Sequence, residues 1–282
     1  MNNTIISKEV KDQIIQNIRN WWTVNGEIGP AVIGISGGKD SSVVAALCVE
    51  ALGKDKVLGV LMPDGTQKDI DDSKKLCKHL KINNVEVDIS AITLHFNKLI
   101  HDIANSHVKE ARAGKFPRPR IDFERRTTNI PPRVRMTMLY AIAQNYDGRV
   151  INTSNASESY VGFGTLYGDT VGDFAPIKNL FVDEVVELGK LLKLPKDLVE
   201  KVPADGLTDK TDEDNLGFTY ADVKKVALKC DDWQVRSPAS DRLIPFADIE
   251  RKHKATAFKR KIVNVPGIEF YRDKNGVIVS VK

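Results

Sequence analysis

The feature that most restricts the fold is a short apolar run, Ala31-Val32-Ile33-Gly34-Ile35, followed at once by Ser36-Gly37-Gly38-Lys39-Asp40-Ser41. A strand with one face in water alternates apolar and polar residues, whereas this run is apolar throughout. It predicts a strand buried on both faces, as in a parallel sheet covered by helices on either side. The residues from Ser41 to Leu52 read as a helix that stops at Gly53. A strand, a glycine-rich turn and a helix N-terminus in succession make an anion site. The N–H groups of the turn point outward, and the helix dipole adds about half a positive charge. Gly37 and Gly38 let a phosphate approach the backbone and can take positive φ. Ser36 and Ser41 add hydroxyls, and Lys39 adds a cation. Asp40 is the telling member, because a carboxylate beside a phosphate needs a cation between them. A hard oxygen ligand in that position points to Mg2+.

Better-known glycine loops do not fit. The Walker phosphate loop wants Gly where Ile33 stands and Ser or Thr where Asp40 stands. The dinucleotide fingerprint wants Gly-x-Gly-x-x-Gly after the first strand, and that spacing is absent. Gly34-Ile35-Ser36-Gly37-Gly38 does match the Gly-x-Ser-x-Gly elbow of serine hydrolases, but that elbow follows several earlier strands, and this loop ends the first.

The remaining periodicity extends the same architecture. Val10, Ile14, Ile15, Ile18 and Trp22 recur at helical spacing over residues 8–22. Strands are predicted at 56–62, 85–89 and 149–151, with the turn Pro63-Asp64-Gly65 after the second, and helices at 69–80 and 91–105. Pro131-Pro132 opens a further helix running to about Asn145, and helices are also predicted at 180–192, 219–229 and 240–252. Residues 106–130, with Gly114, Pro117 and Pro119, read as a long loop, 161–176 read as irregular, and 276–279 as an edge strand. The fold class is therefore α/β, a doubly wound parallel sheet with helices on both faces. No repeat and no clean boundary divides residues 1–282. Ligands of such a sheet bind beyond the C-terminal ends of its strands.

Composition excludes several classes. The formal net charge of +4 suits an anionic ligand, and without a long basic stretch it does not require nucleic acid. The three cysteines, Cys48, Cys77 and Cys230, are too sparse for a disulfide framework or a zinc site. No apolar run approaches the roughly 20 residues of a membrane helix, and the first residues lack the pattern of a signal peptide. A cytoplasmic enzyme without membrane contact is the expectation.

The hexapeptide Ser36–Ser41 resembles the pyrophosphate loop of the N-type ATP pyrophosphatases, which split ATP between its α and β phosphates. Within that superfamily the later blocks are similar to those of the ammonia-dependent NAD synthetases. They are Asn129-Ile130-Pro131-Pro132-Arg133-Val134-Arg135-Met136, Asn152-Thr153-Ser154-Asn155-Ala156-Ser157-Glu158, and Tyr167-Gly168-Asp169 with Asp173 and Pro176. Then follow Lys201-Val202-Pro203 leading into Asp205-Gly206-Leu207, Thr211-Asp212-Glu213, Leu216-Gly217-Phe218-Thr219-Tyr220, and His253-Lys254. The resemblance implies an adenine nucleotide alpha hydrolase-like, Rossmann-like fold. It also implies amidation of deamido-NAD by ammonia through an adenylate, with ATP as co-substrate and AMP and pyrophosphate as products. It implies that Gly34, Ile35, Ser36, Gly37, Gly38, Lys39, Asp40, Ser41 and Thr153 contact ATP. Asp40 and Glu158 would hold Mg2+, and Arg133, Asp173, His253 and Lys254 would hold deamido-NAD. A homodimer with the deamido-NAD site at its interface is implied as well. The chain begins one helix before the ATP loop, so no glutaminase domain is expected, and ammonia is free or comes from a separate protein.

Three positions depart from the family pattern. Leu166 stands where a lysine is usual before Tyr-Gly-Asp, Val182 where a lysine follows the proline, and Ala204 where Ser or Thr follows Lys-x-Pro. Each loses a polar contact, and the lysines also lose a full charge. If the stretch from Lys178 to Val182 is helical, Lys178 lies on nearly the same face as Val182 and stands in for the second lysine. The alternatives are a tRNA-thiolating relative, a serine hydrolase using Ser36 with His253, and a nucleotide-binding module without catalysis.

Overall fold

The computed structural model describes residues 6–25, 29–67, 69–115, 123–201, 211–229 and 244–282, those at 123–127 through their backbone alone. In chain order the elements are α1 (Lys8–Asn25), β1 (Ala31–Gly34), α2 (Lys39–Leu52), β2 (Val57–Leu61), α3 (Ile70–Leu80), β3 (Asn83–Glu86), α4 (Ser90–Ser106), α5 (Val108–Arg112) and α6 (Phe123–Asn145). They continue with β4 (Arg149–Val150), α7 (Ala156–Val161), α8 (Val182–Leu191), α9 (Lys196–Val199), α10 (Asp212–Leu216), α11 (Tyr220–Ala227), α12 (Phe246–Ala255), α13 (Ala257–Ile262), β5 (Phe270–Arg272) and β6 (Ile278–Val281).

The main sheet is parallel, in the order β3-β2-β1-β4. Its alternation explains the unbroken apolar run. Ala31, Ile33 and Ile35 enter one core with α1, α2 and α8, while Val32 enters a second core on the opposite face with Ile130, Val134 and Ala143 of α6. In β2, Val57 and Leu61 join the first core and Leu58 and Val60 the second. A strand buried this way cannot spare a polar residue on either face. The anion loop sits where β1 and β4 diverge, at the edge from which the sheet is extended in opposite directions.

Several expectations change. The helix expected from Pro131 begins at Phe123, with Pro131 and Pro132 inside it. Proline is favoured at a helix start because its missing N–H costs nothing there. Inside α6 it forgoes two helical donors, and burial of Ile130 and Val134 against the sheet offsets that loss. Part of the expected 106–130 loop is therefore helix, α5 and the first turns of α6, while 116–122 lie outside the described residues. The strand expected at 85–89 is assigned to Asn83–Glu86, and Val87 N–H and Ile89 N–H still donate to Leu61 and Pro63 carbonyls, 2.8 and 2.9 Å. Residues 276–279 do not edge the main sheet. Their strand is β6, which pairs antiparallel with β5 and packs on α1. The irregular stretch 161–176 ends in a parallel bridge between Ile151 and Phe174, which carries the sheet past β4. Cys48 and Cys77 are free and buried, and burial pushes their thiols up to about 12 and about 11. Cys230, Ala204 and the beginning of the helix expected at 240–252 lie outside the described residues.

Candidate active site

A cleft of about 520 Å3 opens at the end of β1, floored by Gly34 to Ser41 except Gly37 and walled by Thr153, Glu158 and the 162–169 loop. Gly37 faces away from it, with φ +77°. A Cβ there would lie 2.9 Å from the Asp69 carbonyl oxygen and 2.9 Å from Asp72 Cβ. Its role is to turn the backbone against α3, and only glycine fits both the conformation and the space. Lys201 closes that side, donating to Asp69 and Asp72 at 2.7 Å each. The Ser36 and Ser41 hydroxyls lie 3.1 Å apart, and Ser36 Oγ also accepts from Gly38 N–H at 3.3 Å. They brace the turn. Gly38 is the residue before α2, and no side chain caps that N-terminus, which leaves its backbone donors available to an anion.

The charges around this N-terminus form a tight group. Lys39 is buried and donates to Asp40 Oδ2 at 2.9 Å. Burial disfavours its charge, but Asp40, Glu158 and Asp212 outweigh that, and the ammonium is held above its ordinary range. Asp40 Oδ1 accepts from Asn155 Nδ2 at 3.1 Å. Glu158 lies in the first turn of α7, where it completes a capping box. Its Oε2 accepts from Asn155 N–H and its own N–H donates to Asn155 Oδ1, both at 3.1 Å. Glu158 is thus a helix-start carboxylate that also faces Asp40. Burial first, and the Asp40 charge second, push its carboxyl well above the usual range. Two carboxylates in a poorly solvated cleft, each with hard oxygens, are what a divalent cation relieves. Among the described residues no group of three or more His, Cys, Asp or Glu side chains could hold a metal. The pair fits Mg2+, which is commonly held by one or two carboxylates plus substrate phosphates.

The structure treats the expected deamido-NAD residues differently. Arg133 is exposed, and its Nε donates to the Leu166 carbonyl at 3.2 Å. Asp173 accepts from Val150 N–H at 2.8 Å and from the Tyr140 hydroxyl at 3.3 Å, pinning the 173–175 segment to β4. His253 stacks on Tyr160 with ring centroids 4.0 Å apart, and its Nδ1 lies 2.8 Å from the Tyr160 carbonyl oxygen. Lys254 is exposed and lies 3.7 Å from Glu250. None of these four lines the cleft of the single chain. The substitution of Lys178 for the lysine missing at Val182 is overturned. Lys178 Nζ donates to Asn264 Oδ1 and the Val265 carbonyl at 3.1 and 2.7 Å, outside the cleft, and Val182 begins α8 rather than continuing a helix from Lys178.

The cleft also holds residues that the motifs did not assign. Arg135 donates from Nε to the Met62 carbonyl at 3.0 Å, and burial lowers its pKa. Asn152 Nδ2 donates to the Asp169 and Val171 carbonyls at 2.8 and 3.0 Å, which fixes the glycine-rich loop over the end of β4. Lys252 and Lys259 reach the cleft from α12 and α13. Arg135 stands inside a quoted block and was legible by spacing. The two lysines lie in an ordinary-looking basic stretch that carries no signal.

The profile of the NAD synthase family matches residues 10–262. The NH(3)-dependent NAD(+) synthetase of Pyrococcus horikoshii is 36% identical over 264 residues, 92% of this chain and 95% of that protein. Among solved structures, the NMN synthetase of Francisella tularensis superposes with a TM-score of 0.70 at 30% identity, covering 91% of this chain and 98% of the other. The NH3-dependent NAD synthetase of Campylobacter jejuni, solved with a nitrate ion, superposes with a TM-score of 0.68 at 26% identity, covering 89% and 95%.

Proposed function

The chain belongs to the NAD synthase family, and on that premise we propose that it joins ammonia to the nicotinate carboxyl group of deamido-NAD, converting ATP to AMP and pyrophosphate. The enzyme is a ligase that forms a C–N bond, with ATP as co-substrate. The observation that carries the reading is the meeting, in one cleft, of the uncapped α2 N-terminus with Lys39, Asp40 and Glu158.

A carboxylate does not react with ammonia in water, so its oxygen must first gain a better leaving group. The nicotinate carboxylate oxygen attacks the α-phosphorus of ATP, and the bond to the β-phosphate bridging oxygen breaks. Charge develops on the departing pyrophosphate, where the backbone N–H groups after Gly38, the helix dipole and the Lys39 ammonium meet it. Ammonia then attacks the acyl carbon of the adenylate, AMP leaves, and the nitrogen loses a proton to solvent. Asp40 and Glu158 would hold Mg2+, which when bound neutralises phosphate charge beside the loop. Asn155 orients both carboxylates, donating its side-chain N–H to Asp40 and its backbone N–H to Glu158. Neither step needs a protein nucleophile. Ser36 is engaged with Ser41, and His253 is turned onto the Tyr160 carbonyl, which weighs against a serine hydrolase.

The assembly is a homodimer in this reading. The apolar face of α4 supports it, because Ile103 is 60% exposed and Phe96, Leu99 and Ile100, on the same side of the helix, are also exposed. Such a helix face is normally covered. A second copy is also consistent with the finding that Arg133, His253 and Lys254 do not line the single-chain cleft.

Incubation with ATP, Mg2+, ammonium and deamido-NAD should yield NAD, AMP and pyrophosphate in equal amounts, and Asp40→Asn should abolish the yield. Deamidated nicotinamide mononucleotide is the competitor to include, given the solved relative that is an NMN synthetase. Absence of all three products with the dinucleotide would overturn the proposal.

A further inference from the structure

Behind the phosphate loop the chain breaks one of its own local rules. Asp69 stands immediately before α3, where an aspartate normally accepts a hydrogen bond from the second or third N–H of the helix. Asn155, Thr211 and Thr219 do this at the starts of α7, α10 and α11. At α3 no side chain caps the helix. Asp69 and Asp72 both turn to Lys201 instead, which donates to Asp69 Oδ1 and Asp72 Oδ2 at 2.7 Å each. The lysine lies 132 and 129 residues further along the chain. The local sequence supplies a cap, and the tertiary structure diverts it to a distant cation.

The position of that cation is beside the anion loop. Lys201 and Asp69 both line the cleft. The same turn of α3 supports the loop from behind. The fully buried Ser73 hydroxyl donates to the Ile35 carbonyl at 3.0 Å, and Gly37 packs against the Asp69 carbonyl and Asp72 with no room for a Cβ. Burial acts against the charge of Lys201, but its hydrogen bonds with Asp69 and Asp72 outweigh that and hold the ammonium above its ordinary range.

The triad is not sealed, however. The side chains of Lys201, Asp69 and Asp72 are 29%, 38% and 33% exposed, and ion pairs this open to water hold weakly. Two carboxylates share one ammonium, so the corner carries a net negative charge, which is the wrong sign beside a polyphosphate. Both aspartates have a second partner within reach, because they stand at the first turn of α3, whose free N–H groups and dipole favour carboxylates. Lys201 has three donors on a flexible stem, and a charge-assisted bond to phosphate is stronger than a solvated ion pair.

We infer that Lys201 is an exchangeable counterion of the ATP site. Without nucleotide it joins Asp69 and Asp72. With ATP on the Ser36–Ser41 loop its ammonium passes to a phosphate oxygen, and the two aspartates fall back on the first turn of α3 and on water. Only hydrogen bonds are exchanged, and no proton moves. The inference deepens the ATP half of the reading above and rests on it for ATP as co-substrate alone.

The test is calorimetric titration of the full chain with ATP in Mg2+, without deamido-NAD or ammonium, so that no turnover intervenes. Lys201→Met should weaken ATP binding by about 10- to 100-fold, the loss of one charge-assisted hydrogen bond. Asp69→Asn should act in the opposite direction and tighten ATP by about two- to fivefold, because the lysine loses a competitor. Opposite signs from the two halves of one ion pair are the signature, since a pair that only braces the fold weakens binding whichever half is removed. In steady state KM for ATP should follow the titrations, while KM for deamido-NAD stays near its wild-type value. An unchanged ATP affinity in Lys201→Met, any result other than tightening in Asp69→Asn, or an equal rise in both KM values would overturn the inference. Failure of the amidation reading is separate. It appears as absence of NAD formation by the wild type, and the ATP titrations still report on Lys201. Thermal melts identify any loss of folding. If Lys201→Met does not fold, the wild type crystallised with Mg2+ and α,β-methylene-ATP decides. Lys201 Nζ within hydrogen-bond distance of a phosphate oxygen supports the exchange, and Nζ still shared by Asp69 and Asp72 overturns it.

Discussion

Glu158 caps a helix, and the proposed function also gives it a metal to hold; a single substitution separates the two. It caps α7 through Asn155, and it faces Asp40 in the cleft where a metal ion would sit. Glu158→Gln keeps an oxygen that can accept from Asn155 N–H, and glutamine serves in a capping box as glutamate does. The cap, worth about 1 kcal/mol, is therefore retained. What disappears is a carboxylate that burial and Asp40 push well above its ordinary range. A carboxyl whose folded pKa is raised stabilises the protein below its unfolded pKa and loses that contribution as pH rises through the folded value. Metal-free Glu158→Gln should therefore melt no lower than wild type at neutral pH, and its advantage should shrink as pH falls into the usual carboxylate range. With Mg2+ and ATP the order reverses. Ligand at 100 times its dissociation constant stabilises by about 2.7 kcal/mol, and each kcal/mol moves Tm by about 2–4 °C in a chain of this size. Wild type should gain about 5–11 °C that the variant largely forgoes, from those same two relations. Turnover should fall by roughly 100-fold or more, since even outer-shell partners of a metal are worth 10- to 100-fold. Thermal melts across pH, with and without Mg2+ and ATP, and NAD formation under saturating substrate are the assays. Wild-type turnover together with a wild-type thermal shift in Glu158→Gln would refute the metal role. A metal-free Tm well below wild type at neutral pH would refute the pKa argument.

Three further outcomes follow from the same geometry. Gly37→Ala forces a side chain into φ +77° and against the Asp69 carbonyl. A strain of about 1–2 kcal/mol is expected, read as a lower denaturation midpoint, and an unchanged midpoint would count against the packing described. Arg272→Ala leaves Glu184, which is fully buried, with Lys224 at 3.0 Å and without the guanidinium that binds both its oxygens. Breaking such a pair costs about 3–5 kcal/mol, and urea unfolding should show a loss of that order or, at least, more than any exposed-pair variant. Ile103→Glu places a charge on the apolar face of α4 and should shift the mass in light scattering from dimer to monomer at unchanged helix content. A dimer that persists would remove α4 from the interface.

The sequence by itself determined the parts that depend on near neighbours. A continuous apolar run must be covered on both sides, so Ala31–Ile35 announced helices on both faces before any contact was known. The Ser36–Ser41 loop announced an anion site because strand, glycine turn and helix N-terminus are consecutive. Glu158 was legible as a helix start, and the metal role that the resemblance implies for it is compatible with that cap because α7 begins at the rim of the cleft. Other features depend on partners far along the chain. Lys178 was placed by its spacing from Val182, yet its ammonium is satisfied by Asn264 and Val265, 86 and 87 residues away. Asp173 was singled out by resemblance alone, and its bond to Val150 N–H is one that only the packing of the 173–175 segment against β4 creates. Pro131 signalled a helix start, and burial of α6 against the sheet carried the helix through it. Lys252 and Lys259 carried no motif at all. They face the cleft because α12 and α13 fold back onto α7, where Arg260 also holds the Ser159 and Tyr160 carbonyls. Local order is written in spacing, but which charges share a poorly solvated wall is decided by tertiary packing, since burial and long-range approach set their energies.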